Sequence, residues 1–221
     1  MENEATVEVA ALTDLDLEKQ YAMQVETFQG YIGSAYRDLT FATFAARPDL
    51  SPSQVVALDQ VEKWSTPAGR VKSPFILLFG ATGSGKTGLA GASAMTIARQ
   101  GVGGLMWKTE VSLAARWRAS HSCYDKDYDG VDTPDSVISE CSTYPIVFID
   151  DLGKSKVSEG WASALFEIID ARSRNNLPTL ITSNCSPQAL LQKYDVSLVD
   201  RLLGGVVCEV TGQSMRQSVV L

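Results

Sequence analysis

The stretch FILLFGATGSGKT, residues 75–87, decides the fold of this 221-residue chain. Its first five residues are apolar and predict a buried strand, and the next eight fit the pattern GxxxxGK[ST] at every fixed position. A strand, this loop and then a helix form the context in which such a loop binds phosphate. The sequence therefore predicts a phosphate-binding loop at residues 80–87.

The residue types in this loop indicate how it would bind a nucleotide. Glycines let the backbone curl so that successive N–H groups point at phosphate oxygens, and the following helix N-terminus adds partial positive charge. Lys86 is expected to reach the β- and γ-phosphates, and the Thr87 hydroxyl to bind Mg²⁺, which prefers oxygen ligands. The residues expected to bind the nucleotide are Gly80, Ala81, Thr82, Gly83, Ser84, Gly85, Lys86 and Thr87.

Two further apolar runs end in polar residues that complete the predicted site. Asp150 and Asp151 follow the run at 146–149, and Asn184 follows the run at 179–182. Because parallel strands present their carboxyl ends at one edge of a sheet, we expect Asp150 to hold Mg²⁺ and Asp151 to polarise the attacking water. Asn184 could orient that water or contact the γ-phosphate, although a turn-forming asparagine is the structural alternative. The guanine-recognition sequence NKxD does not follow, which favours ATP over GTP.

Apolar runs alternate with helical patterns beyond residue 75, which predicts βαβ units and a parallel sheet. The fold class is therefore α/β, a P-loop NTPase with a five-stranded parallel sheet flanked by helices. The expected strands are 75–79, 104–107, 146–149, 179–182 and 206–210. Ser51 and Pro52 are typical of a helix start, whereas residues 65–74 have the composition of a loop. The residues expected on buried helix faces are Val55, Leu58, Val61, Leu89, Ala94, Ile97, Ala98, Trp161, Ala164, Leu165, Ile168, Ile169, Leu190 and Leu191.

Composition excludes several classes of protein. The net charge of −7 gives no general affinity for nucleic acid, so any contact with DNA must be local. Four scattered cysteines and one histidine support neither a zinc site nor a disulfide framework. No apolar run approaches the ~20 residues that cross a bilayer, and the N-terminus lacks a secretory signal pattern. A cytoplasmic protein without a membrane partner is expected.

Residues 1–30 are expected to form a short N-terminal arm or helix that could bind a partner, and residues 31–221 the ATPase domain, with little or no helical lid. Within that domain, Lys108, Arg116 and Arg118 alternate with Trp107 and Trp117 and could offer a local track for single-stranded DNA. The two tryptophans are equally consistent with core packing, which we favour. The segment DKDYDG at 125–130 copies half of a calcium loop but lacks the bidentate glutamate, so a solvated acidic connection is expected.

These motifs together resemble the AAA+ ATPases of the DnaC/IstB family, the bacterial and phage helicase loaders and their transposition relatives. The resemblance extends over about residues 31–216. Besides the phosphate loop it rests on YRDLTFATF at 36–44, IVFIDDLGK at 146–154, LFEIIDARSRNNLPTLITSN at 165–184, DVSLVDRL at 195–202 and GQSMR at 212–216.

The resemblance implies self-association through the ATP sites, in which an arginine of one subunit reaches the γ-phosphate held by its neighbour. By matching position that arginine finger is Arg201, so the catalytic set would be Lys86, Asp151, Asn184 and Arg201. Arg172 falls on another family arginine, and Arg216 resembles a late arginine that contacts the nucleotide. Aspartate stands at position 151 where AAA+ enzymes commonly have glutamate, and hydrolysis is therefore expected to be slow and stimulated by a partner.

The leading functional hypothesis is an ATPase that helps place a replicative hexameric DNA helicase on single-stranded DNA during replication initiation. An alternative within the fold is a transposition ATPase that, like IstB, regulates a transposase on duplex DNA. A P-loop small-molecule kinase and a binding module switched by nucleotide are further alternatives. Neighbouring helicase or transposase genes would distinguish the first two.

Overall fold

The computed structural model describes residues 39–102, 104–121 and 132–215. Three predictions lie outside these residues: the N-terminal arm at 1–30, the acidic segment at 125–130 and the nucleotide contact of Arg216. In the described ranges no helix combines the length and the apolar character that crossing a bilayer requires.

A five-stranded parallel sheet lies at the centre, in the order β2-β3-β4-β1-β5. The strands are β1 (Phe75–Phe79), β2 (Leu105–Thr109), β3 (Ile146–Leu152), β4 (Thr179–Ser183) and β5 (Val206–Glu209). All five fall where the sequence predicts them, and the α/β class is confirmed. This order makes β4 the neighbour of both β1 and β3, so the carboxyl ends of these three strands lie side by side.

Helices cover both faces of the sheet. In the part of the chain that the structure describes they are α1 (Phe41–Ala45), α2 (Pro52–Trp64), α3 (Pro67–Lys72), α4 (Lys86–Arg99), α5 (Glu110–Ser120), α6 (Pro134–Thr143), α7 (Glu159–Arg174), α8 (Pro187–Leu191) and α9 (Val196–Leu203). Trp64, Met95 and Phe148 belong to the core on one face, and Trp161 and Leu165 to the core on the other. Trp107 is a core residue, as favoured from its sequence, and stacks on Phe148 with ring centroids 5.4 Å apart.

The helix start at Ser51 is confirmed in detail. The Ser51 side chain accepts a hydrogen bond from the Gln54 N–H, and the Gln54 side chain accepts one from the Ser51 N–H. The prediction that Val55 is buried was wrong, because α2 turns Gln54, Ala57, Val61 and Trp64 inward and leaves Val55 49% exposed.

Two other local predictions were wrong. Residues 65–74 contain α3 rather than only a loop, since Thr66 caps the Gly69 N–H and Pro67 occupies a first-turn position that needs no N–H donor. In α8 both leucines were predicted to be buried, but only Leu190 is, while Leu191 is 43% exposed. Successive residues of a helix point about 100° apart, so a short helix packed on one side can bury Leu190 and leave Leu191 facing solvent.

Candidate nucleotide-binding site

The loop between β1 and α4 has backbone conformations that glycine adopts without strain. Gly80, Gly83 and Gly85 have φ angles of 144°, 84° and 100°. A Cβ atom on Gly80 would lie 2.2 Å from the carbonyl oxygen of Val210, in the segment after β5. Glycine is the residue that suits all three positions, and the phosphate-binding motif predicts it at 80 and 85.

Lys86 lies in the first turn of α4 and is only 4% exposed. Its ammonium donates hydrogen bonds to the carbonyl oxygens of Gly80 at 2.8 Å and Ala81 at 2.7 Å. These contacts hold the positive charge inside the curl of the loop. The ammonium is thus kept at the loop, where phosphate oxygens could take the place of these carbonyl acceptors as stronger, charged partners.

Thr87 and Asp150, the two residues predicted to bind Mg²⁺, contact each other. The Thr87 hydroxyl donates to Asp150 Oδ1 at 3.0 Å, and the Thr182 hydroxyl donates to the same oxygen at 2.5 Å. Burial raises the pKa of the Asp150 carboxyl, while the hydrogen bonds from Thr182 and Thr87 oppose that shift. One carboxylate and one hydroxyl are a donor set that fits Mg²⁺, which commonly keeps several waters and bridges to phosphate.

Asp151 and Asn184 are brought together at the ends of β3 and β4. The Asn184 amide donates to Asp151 Oδ1 at 3.1 Å, and the Lys154 ammonium lies 2.7 Å from Oδ2. Asp151 has a φ of 60°, a left-handed conformation that costs a non-glycine residue about 1–3 kcal/mol. The Asp151 N–H donates to the Thr182 hydroxyl at 3.0 Å, so Thr182 fixes the backbone of one acid and the side chain of the other.

These groups open into one cleft of about 390 Å³. Its polar lining includes Lys86, Thr87, Asp151 and Asn184, and it is also lined by residues to which sequence reasoning assigned no role. Those residues are Leu39, Phe44, Arg47 and Met215. The size is within the range of small-ligand sites, and the apolar side chains of Leu39, Phe44 and Met215 beside phosphate-binding groups suit a molecule with one aromatic and one anionic part.

A family model described as "IstB-like ATP binding protein" matches residues 37–219, which is most of the chain. The chain belongs to this family. It is an AAA+ protein of the DnaC/IstB group, as the resemblance implied. No curated protein sequence matches the chain significantly.

Solved structures share this AAA+ fold. A DnaC helicase loader is 20% identical, with a TM-score of 0.67 over 81% of this chain and 100% of that one. A DnaI structure is 21% identical, with a TM-score of 0.63 over 79% of this chain and 92% of that one. The replication initiator DnaA bound to AMPPCP and single-stranded DNA is 16% identical, with a TM-score of 0.66 over 83% of this chain. The alignment spans about half of that initiator, 52% of its chain.

Arg201 of this AAA+ protein lies outside the cleft that its own phosphate loop forms. On α9 its guanidinium donates to Asp170 Oδ1 at 2.6 Å and to the Ser197 carbonyl oxygen at 2.8 Å. It also lies over the ring of Phe166, 4.8 Å from the centroid. The structure thus groups Lys86, Asp150, Asp151 and Asn184 but leaves Arg201 elsewhere, and its role as a finger stays a prediction.

Arg172, the other family arginine, is fully buried beneath the sheet. It donates to the carbonyl oxygens of Cys141, Tyr144 and Pro178 and to the Thr179 hydroxyl, at 2.7–2.8 Å. Burial lowers its pKa to about 10. These contacts tie α7 to the ends of α6 and β4, so Arg172 has a structural task.

The basic track suggested for DNA is weaker than its sequence indicates. Arg116 forms ion pairs with Asp132 at 2.6 Å and Glu140 at 2.5 Å, and Trp107 is buried. The guanidinium charge of Arg116 is therefore largely neutralised by these two carboxylates and is less available to DNA phosphates.

Proposed function

We propose that this protein is an ATP-hydrolysing helicase loader that associates with copies of itself and helps place a replicative hexameric DNA helicase on single-stranded DNA. The observation that carries the proposal is the cleft in which the phosphate loop, the Thr87–Asp150 pair and the Asp151–Asn184 pair meet. Its fold likeness to the DnaC helicase loader extends over that protein's whole chain.

In this proposal the loop amides and Lys86 bind the β- and γ-phosphates of ATP. Thr87 and Asp150 hold Mg²⁺, which neutralises phosphate charge when it is bound. The apolar side chains of Leu39, Phe44 and Met215 in the cleft lining pack against the adenine base, because an aromatic base is stabilised by leaving water for an apolar surface.

Asp151 and Asn184 act on the water. The carboxylate accepts a hydrogen bond from the water and aligns it, while the amide limits where that water can lie. The Asn184 amide nitrogen lies 3.1 Å from Asp151 Oδ1, so the two side chains are close enough to contact the same water molecule. Arg201 of an adjacent copy supplies positive charge to the transition state, and without it hydrolysis is slow.

The test measures ATP binding, ATP hydrolysis and helicase loading on single-stranded DNA circles for the parental protein and for two lysine variants. Lys86→Ala should lose ATP affinity and loading, because the phosphates lose their buried cation. Lys72→Ala removes an exposed lysine from α3 and should behave as the parental protein. Absence of ATP affinity in the parental protein overturns the proposal, and absence of both helicase association and loading overturns its loader part.

The second candidate is a transposition ATPase that acts with a transposase on duplex DNA. It is favoured by the family description, which names IstB. ATP-dependent binding to duplex DNA without any association with a replicative helicase would replace the loader proposal by this one.

A further inference from the structure

Glu110, the first residue of α5, is a fully buried carboxylate outside the nucleotide cleft. Its Oε2 accepts hydrogen bonds from the backbone N–H groups of Gly153 at 2.9 Å and Ser155 at 3.2 Å. Its Oε1 accepts from the Ser155 hydroxyl at 2.5 Å, the Trp161 indole at 2.9 Å and the Tyr194 phenol at 2.6 Å. One side chain therefore joins the loop after β3, helix α7 and the segment before α9.

All five partners of Glu110 are donors, and an ionised carboxylate is the acceptor that satisfies them all. Burial raises the pKa of this carboxyl, but the hydrogen bonds from Ser155, Tyr194 and Trp161 outweigh that effect and leave the pKa below its ordinary value. Within the described residues no lysine or arginine forms an ion pair with it. The charge is held by oriented dipoles, an arrangement that fixes geometry closely.

One end of this network sets the turn that carries Asp151. Gly153 and Ser155 lie on either side of Lys154, whose ammonium pairs with Asp151. The Lys154 N–H donates to the Asp151 carbonyl oxygen at 3.1 Å and closes the turn. Because Asp151 is held in a left-handed conformation, its side-chain direction depends on these neighbouring contacts.

The other end of the network reaches the helix that carries Arg201. Tyr194 directly precedes Asp195, which caps α9 by accepting from the Ser197 N–H. The adjacent Lys193 ammonium donates to the Gly153 carbonyl oxygen at 2.7 Å, so the same turn is held twice by the segment before α9.

We propose that Glu110 is a positioning residue that holds the Asp151 turn and helix α9 in a fixed relation. Glu110 then fixes two groups of the same copy. These are Asp151, which aligns the water at its own ATP site, and Arg201, which reaches the ATP site of the neighbouring copy. This inference rests on the proposed function of Asp151 and Arg201. It adds a link by which the state of one ATP site reaches the next.

Tyr194→Phe is the sharpest variant, because it removes one hydroxyl, keeps the ring and leaves Glu110 with four donors. Its effect on the finger can be isolated in mixed assemblies. Arg201→Ala protein supplies ATP sites without a finger, and Lys86→Ala protein supplies fingers without an ATP site of its own. ATP hydrolysis in the mixture then reports how well the second protein presents Arg201.

Adding Tyr194→Phe to the Lys86→Ala protein should lower hydrolysis in the mixture about fivefold, the value of one buried hydrogen bond. Trp64→Phe added to the Lys86→Ala protein is the matched control, since it removes a buried indole donor to the Ser73 carbonyl oxygen at 2.9 Å in the other core. That control should leave the rate unchanged. Equal rates with both proteins overturn the inference alone, whereas no hydrolysis with the plain Lys86→Ala protein overturns the composite site and both proposals.

Glu110→Gln tests the Asp151 end in unmixed protein. Its amide nitrogen would face N–H or O–H donors, and we expect kcat to fall about tenfold while the KM for ATP changes less than about twofold. A tenfold loss in kcat/KM that comes from a higher KM, with kcat unchanged, would contradict a positioning role. Where this variant folds poorly, the Tyr194→Phe measurement decides.

Discussion

The Thr87 hydroxyl donates a hydrogen bond to Asp150 over 3.0 Å, which joins the first turn of α4 to the end of β3. The two side chains are more than sixty residues apart in sequence. Asp150 Oδ1, which accepts the hydrogen bond from Thr87, also accepts one from the Thr182 hydroxyl. Such a cluster of oxygen donors beside a phosphate loop leads to a prediction about Mg²⁺.

Asp150→Asn should weaken the dependence of ATP binding on Mg²⁺. The neutral amide keeps the shape but loses the negative charge that attracts the cation, so the Mg²⁺ concentration for half-maximal turnover should rise about tenfold or more. Affinity for ATP in EDTA should stay within about twofold of the parental value. A titration of turnover with Mg²⁺ that gives an unchanged midpoint would contradict the assignment of Asp150.

The two partners of the Lys154–Asp151 ion pair should respond differently to substitution, with little effect on stability from the lysine and a large effect on turnover from the aspartate. The Lys154 side chain is 63% exposed, and Lys154→Ala should change the free energy of unfolding by less than about 1 kcal/mol. Asp151→Asn should abolish most turnover, because it removes the carboxylate that aligns the water, while ATP affinity is retained. Urea unfolding and steady-state hydrolysis measure the two effects, and parental turnover in Asp151→Asn would exclude the proposed role of Asp151.

Local patterns were sufficient to predict most of the fold and half of the site. The phosphate loop, the strands and the acids at 150 and 151 follow from residues adjacent in sequence. Glu110 could not be found in this way, because its partners lie 43 to 84 positions away and only tertiary packing brings them together. Thr182 was likewise missed, since a threonine ending a strand carries no local signal for contacts to two acids.

Arg172 should be a large contributor to stability with no part in ATP chemistry. Arg172→Met keeps much of the volume but leaves buried carbonyl oxygens of Cys141, Tyr144 and Pro178 without their donors, at a cost of about 3 kcal/mol or more. Arg174→Ala on the same helix removes a side chain that is 70% exposed and should cost less than about 1 kcal/mol. Urea unfolding of both variants checks this, and similar stabilities would contradict the structural task of Arg172.

The buried carboxylate of Glu110 predicts a particular response to acid. Because its pKa is lower in the folded protein than in the unfolded chain, it stabilises the fold above the unfolded value of about 4.3, and this contribution is lost as pH falls through the folded pKa. The stability difference between parental protein and Glu110→Gln should therefore be largest near neutral pH and shrink as the pH falls below about 4.3. Urea unfolding across this range measures it, with the exposed Glu62→Gln variant as the control for loss of one negative charge. A difference that stays constant with pH would mean that the ionised form of Glu110 is not what the five donors stabilise.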